Sequence, residues 1–102
     1  MENSKMKTLV IVVNAGFSDE VTGIARNAGA RGATIINARG EGAHHESFFG
    51  ITVDTEKEMV LCVTDEKTAK RVMSAVKEKA GINTPAHGIC FTMPVEKTMG
   101  IK

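Results

Sequence analysis

His44, His45 and Glu46 stand in a row, two imidazoles and a carboxylate whose donor atoms suit zinc, nickel or copper. One chain offers at most these three groups there, so a bound metal would need His87 or a loop from a neighbouring subunit. Without that convergence the run is an exposed polar segment, and no metal ligand is assigned. A second kind of chemistry rests on glycine. Gly40, Gly42 and Gly88 lack a Cβ, so their backbone can approach a phosphate closely and present N–H groups to it. Glycines in loops are also plain turn formers. Three stretches therefore carry candidate function: Gly32-Ala33-Thr34 with Gly40-Glu41-Gly42, the loop Ala43 to Gly50, and the turn Thr84 to Gly88. In the middle stretch, Phe48 and Phe49 form an apolar pair, either anchoring the loop on its own core or presenting an anchor to a partner protein. Cys62 and Cys90 sit inside apolar runs with no second ligand at metal spacing, as buried reduced thiols do.

These residues must be positioned by a short series of elements. Thr8 to Val13 is a β-branched run bounded by Asn14-Ala15-Gly16 and reads as a buried strand. Ser18 is the expected N-cap of a helix with Asp19 and Glu20 in its first turn, Val21, Ile24, Ala25 and Ala28 on one face, and Gly29 as its stop. Ala33 to Ala38 reads as a second strand, followed by a polar loop within Gly40, Gly42 and Gly50. A strand over Lys57 to Val63 leads, through a cap at Thr64 or Asp65, into a helix with Ala69, Val72, Met73 and Val76 on one face and Gly81 at its end. The last strand is Ile89 to Met93, closed by Pro94.

Two consecutive βαβ units make an α/β (α+β) fold, a ferredoxin-like βαββαβ sandwich with a four-stranded antiparallel sheet and two helices on one face. A lone domain of this kind shows polar residues on its open sheet face. Here Leu9, Ile11 and Val13 alternate with Val10 and Val12, and Met59, Leu61 and Val63 with Val60 and Cys62. Leaving such side chains in water forgoes roughly 1.5–3 kcal/mol each, so the sheet faces are expected to pack together in an oligomer. The usual strand order puts the third and fourth strands on either side of the first, which keeps Cys62 and Cys90 apart.

At 102 residues, 42% hydrophobic and 25% charged, residues 1–102 read as a single ordered domain. A net charge of +1 and the absence of Trp and Tyr exclude a strongly basic or base-stacking nucleic-acid surface. The polar start and the shortness of the apolar run after it exclude a signal peptide and a membrane span, and a cytoplasmic location without membrane insertion is expected. No nucleophile stands beside an oriented base in the manner of an enzyme, and the Cys-x-x-Cys of copper carriers is absent from Asn14-Ala15-Gly16-Phe17-Ser18.

Three segments carry a family resemblance. Ala30-Arg31-Gly32-Ala33-Thr34-Ile35, Arg39-Gly40-Glu41-Gly42 and Gly88-Ile89-Cys90-Phe91-Thr92-Met93-Pro94-Val95 resemble, in order, the entry to the second strand, the base of the regulatory T-loop and the segment after the B-loop of the P-II nitrogen-regulatory signal-transduction family. The resemblance implies a non-enzymatic homotrimer with clefts between subunits, no prosthetic group, and ATP, ADP or AMP as effector ligand. It also implies control of a membrane transporter or metabolic enzyme through the loop at 40–54. By position, Gly32, Thr34, Gly40, Gly42, His87, Gly88 and Lys102 line the nucleotide cleft, and His44, His45, Glu46, Phe48 and Phe49 sit on the partner-binding loop.

The pattern departs from the family at its cations. Ala43 and His44 stand where the family has arginine and glutamine, Ile89 where it has the B-loop lysine, and Gly100 where it has a phosphate-binding arginine. Charge-assisted contacts of this type contribute roughly 1.5–3 kcal/mol each, so the departures favour an adenosine mono- or diphosphate, or another small ligand, over a tightly held triphosphate. The loop is shorter than a full T-loop and lacks its uridylylated tyrosine. A metal-ion-binding trimer of the cation-tolerance type is the alternative with the same architecture.

Overall fold

In the computed structural model, which describes residues 5–40, 47–48, 51–52 and 55–101, the chain runs β1 (Met6–Asn14), α1 (Ser18–Asn27), β2 (Thr34–Gly40), β3 (Ser47–Phe48), β4 (Ile51–Thr52), β5 (Thr55–Asp65), α2 (Glu66–Ala80) and β6 (Ile89–Pro94). Four of the strands form an antiparallel sheet in the order β2-β5-β1-β6. The two helices pack on one face of it, giving the expected ferredoxin-like βαββαβ sandwich.

The period-2 pattern sorts the strand residues. In the register Leu9↔Cys62 and Ile11↔Val60, one parity points at the helices. Leu9, Ile11, Val13, Val60 and Cys62 are buried there against Val21, Ile24, Ala25, Ala69, Val72 and Val76. Each fully buried aliphatic side chain contributes about 1.5–3 kcal/mol. The opposite parity, with Val12, Met59, Leu61, Val63, Ile36, Ile89, Phe91 and Met93, makes an apolar open face. On it Ile89 is 52% exposed and Phe91 45%, so this face is not covered by the chain's own described residues.

Two local expectations change in detail. Ser18 is not the N-cap of α1. Phe17 holds that position without a side-chain cap, and Ser18 is the first helical residue. The orphan N–H groups are met from the sheet instead, because Glu58 shares the inward parity of Val60 and reaches the helix end. The strands are also longer than their apolar cores. β2 and β5 pair as far as Gly40↔Thr55, so Gly40 ends a strand rather than opening a loop, and the 40–54 region contains a short ribbon with Phe48 opposite Ile51. At the end of α2, Gly81 stops the helix as expected, and the residue does so in extended conformation.

The cap of α2 is Asp65, whose carboxylate accepts a 2.8 Å hydrogen bond from the Thr68 N–H. Cys62 and Cys90 are free thiols on β5 and β6, with β1 running between them. Burial, and secondarily the proximity of Cys62, pushes the Cys90 thiol up to about 11.

Candidate functional site

At the end of the sheet where β1 begins, a cleft of about 1050 Å³ opens between the α1–β2 connection, β5 and the C-terminal segment. Gly32 and Thr34 lie on its rim. Its apolar floor is Leu61 and Val63 from the open face, where Leu61 is the cross-strand partner of Thr34. Thr8, Thr34, Thr64 and Thr68 supply hydroxyls, and Gly100 and Ile101 close one side. A Cβ built on Gly32 meets no atom within 4 Å, so that position opens directly into free space. The N-terminus of α2 also borders the cleft, but its positive end is already answered by Asp65. The side-chain and backbone hydrogen bonds from Thr68 hold the Asp65 carboxyl below its usual range.

A second group of site residues gathers at the opposite end. The turn before β6 wraps the C-terminus of α2. The Thr84 N–H and hydroxyl donate to the Gly81 carbonyl, the His87 N–H to Thr84, and the Gly88 N–H to Ala80 at 2.9 Å. His87 is exposed and held at φ 51, a left-handed conformation uncommon outside glycine. Gly88 has a packing reason of its own, because a Cβ there would collide with the Ala80 carbonyl oxygen and press on Val13. Gly40 stands at this same end, against the Lys57 side chain.

The chain therefore brings Gly32 and Thr34 together in one cleft, and Gly40 and the 84–88 turn to the other end of the sheet. Thr34 is on edge strand β2 and Gly88 adjoins edge strand β6, three strand spacings or about 14 Å apart across the sheet. A single chain does not unite them. Gly42, His44, His45, Glu46, Phe49 and Lys102 lie outside the described residues, and Phe48 is described only as part of β3. Among the described residues no three His, Cys, Asp or Glu side chains gather into a metal site.

The sequence reading missed Asn14, Lys57 and Glu58. Lys57 Nζ donates to Asn14 Oδ1 at 2.7 Å, and Asn14 Nδ2 donates to the Pro85 carbonyl at 3.0 Å. Glu58 Oε1 accepts from the Gly16 and Ser18 N–H groups. The available signal was parity, since Glu58 is a charge at an inward position and Lys57 and Asn14 are polar residues on a largely apolar face.

The sequence matches the family described as nitrogen regulatory protein P-II over residues 6–102. Similar solved structures include B. subtilis GlnK in complex with ATP, at a TM-score of 0.74 and 18% identity over 95% of this chain and 89% of that one. A PII-like signaling protein from Thermus thermophilus gives 0.70 and 21% over 90% and 88%. CPII, a nitrogen regulatory PII-like protein from Thiomonas intermedia bound to ADP, AMP and bicarbonate, gives 0.71 and 17% over 95% and 97%. At these identities the structural likeness speaks for the fold. No protein of curated function matches the sequence. With its βαββαβ sheet and the match spanning all but its first five residues, the chain belongs to the P-II nitrogen regulatory protein family.

Proposed function

We propose that the chain is a P-II-like regulator that binds an adenine nucleotide, ADP or AMP in preference to ATP, in clefts between the subunits of a homotrimer. In this reading the 40–54 loop reports the ligand to a transporter or metabolic enzyme. The observation that carries it is the placement of the candidate residues on opposite edges of a sheet whose other face is apolar and uncovered. Association through that face is favoured by roughly 1.5–3 kcal/mol per covered side chain, and it can set the β2 edge of one chain beside the β6 edge of the next. The apolar floor and threonine hydroxyls of the described cleft suit a heterocycle and its sugar.

B. subtilis GlnK holds ATP and the Thiomonas protein holds ADP and AMP, which supports the ligand class. The preference for fewer phosphates follows from Ile89 and Gly100, which leave two cation positions of the family without charge. No reaction is assigned, because the described cleft presents hydroxyls, the Arg31 side chain and a capping carboxylate without a nucleophile–base pair.

The test is calorimetric titration of the mass-verified oligomer with AMP, ADP and ATP, each with and without magnesium. The expected result is micromolar binding of ADP or AMP and weaker binding of ATP. Absence of binding by all three removes the nucleotide reading.

A further inference from the structure

The base of the 40–54 loop and the 84–88 turn lie on opposite edges of the sheet, yet a continuous line of contacts joins them inside one chain. The Lys57 stem passes Gly40, with Cγ 3.4 Å from where a Cβ would stand. Its ammonium donates to Asn14 Oδ1 at 2.7 Å, and the Asn14 amide donates to the Pro85 carbonyl at 3.0 Å. The Asn14 backbone N–H reinforces the line, reaching the Ala86 carbonyl at 2.9 Å. Asn14 and Lys57 are direct cross-strand partners, so the ammonium–amide bond spans the central pair of strands, and Gly40 and Pro85 sit at its two ends.

Two features make this line able to transmit a displacement. Asn14 is bonded on both sides of its side-chain amide, as acceptor from Lys57 and as donor to Pro85, so moving the turn moves the acceptor that holds the ammonium. The turn is itself held in an uncommon backbone conformation at His87, and such a conformation persists only while its surroundings enforce it.

We propose, resting on the nucleotide reading above for the ligand but not for the mechanics, that Asn14 and Lys57 are positioning residues that couple the 84–88 turn to the base of the 40–54 loop. Nucleotide phosphate settling against the turn shifts the Pro85 carbonyl, and the Asn14 amide passes that shift through Lys57 to Gly40. Neither side chain needs to touch the ligand.

The test is amide hydrogen exchange on the full-length oligomer, first without ligand. Lys57→Met keeps the stem beside Gly40 and removes the charge. It is expected to raise exchange in 84–88, which its hydrogen bond reaches through Asn14, by roughly tenfold to a hundredfold, the range for loss of one charge-assisted hydrogen bond. Asn14→Ala is expected to raise exchange in both 84–88 and 38–40, and Lys57→Arg to restore the native pattern. If each substitution acts only on its immediate neighbours, the coupling is refuted, whatever ligand the protein takes. With ADP as probe, wild type should change exchange at 38–40 and Lys57→Met should lose that change while still binding. Retention of the change in Lys57→Met also overturns the proposal, whereas absence of ADP binding to wild type bears on the nucleotide reading alone.

Discussion

The Glu58 carboxylate on β5 accepts the Ser18 N–H at 3.1 Å and so closes the N-terminus of a helix that begins forty residues earlier in the chain. The hydrogen bond from Gly16, then those from Ser18, hold its carboxyl below the ordinary glutamate value of 4.5. Because the folded state prefers the charged form, this stabilisation is complete above the unfolded-state value and is lost as pH falls through the lowered folded-state value. Asp65 at the start of α2 is shifted the same way and adds in the same window. Thermal melts from about pH 7 to about pH 3 should show stability falling below about pH 4.5, and Glu58→Gln should lower the neutral-pH melting temperature and flatten the acid limb. An acid limb identical to wild type would leave the Glu58 cap without thermodynamic weight.

Leu9 is fully buried between the sheet and the helices. Leu9→Ala should cost about 2–5 kcal/mol, read from urea unfolding as a lower midpoint with unchanged slope. A loss below about 1 kcal/mol would mean that the helices re-close over the site.

Two glycines should separate packing from ligand contact. Gly88→Ala drives a Cβ into the Ala80 carbonyl and should destabilise the fold. Gly32→Ala meets no atom, should leave stability within about 0.5 kcal/mol or raise it slightly, and should weaken ADP binding. Full ADP affinity in the stable Gly32→Ala protein would take the ligand away from the cleft beside Thr34.

Phe91 is 45% exposed on the open sheet face, so Phe91→Asp spares the monomer core while placing a charge in the proposed subunit contact. Sedimentation should show a folded monomer, or an assembly that dissociates at far higher concentration than wild type. An oligomer mass unchanged from wild type would place the subunit contact elsewhere.

How far the sequence alone reaches depends on the range of the interaction. The helices were legible from Val21, Ile24 and Ala25 and from Ala69, Val72 and Val76, because periodicity and caps are local properties. The apolar open face was legible because Val10, Val12, Met59 and Leu61 leave no polar parity in either central strand. Gly32 and Thr34 line one cleft of the single chain, and Gly40 and Gly88 stand at the other end of the sheet. The cap of α1 was misread, since Ser18 satisfies the local rule while Glu58 supplies the bond from another strand. The Asn14–Lys57–Pro85 line was invisible for the same reason, because only the register Asn14↔Lys57 brings those residues together.

The strand order β2-β5-β1-β6 has a consequence for mixed assemblies. If clefts form where the β2 edge of one chain meets the β6 edge of the next, every chain lends half of two different sites and owns neither. A copy crippled only near Thr34 and a copy crippled only near Gly88 would therefore complement one another when co-assembled, rebuilding one sound cleft at the junction of their intact edges. A copy damaged at both edges would spoil both clefts it borders, leaving in a three-chain ring only the cleft between its two intact neighbours.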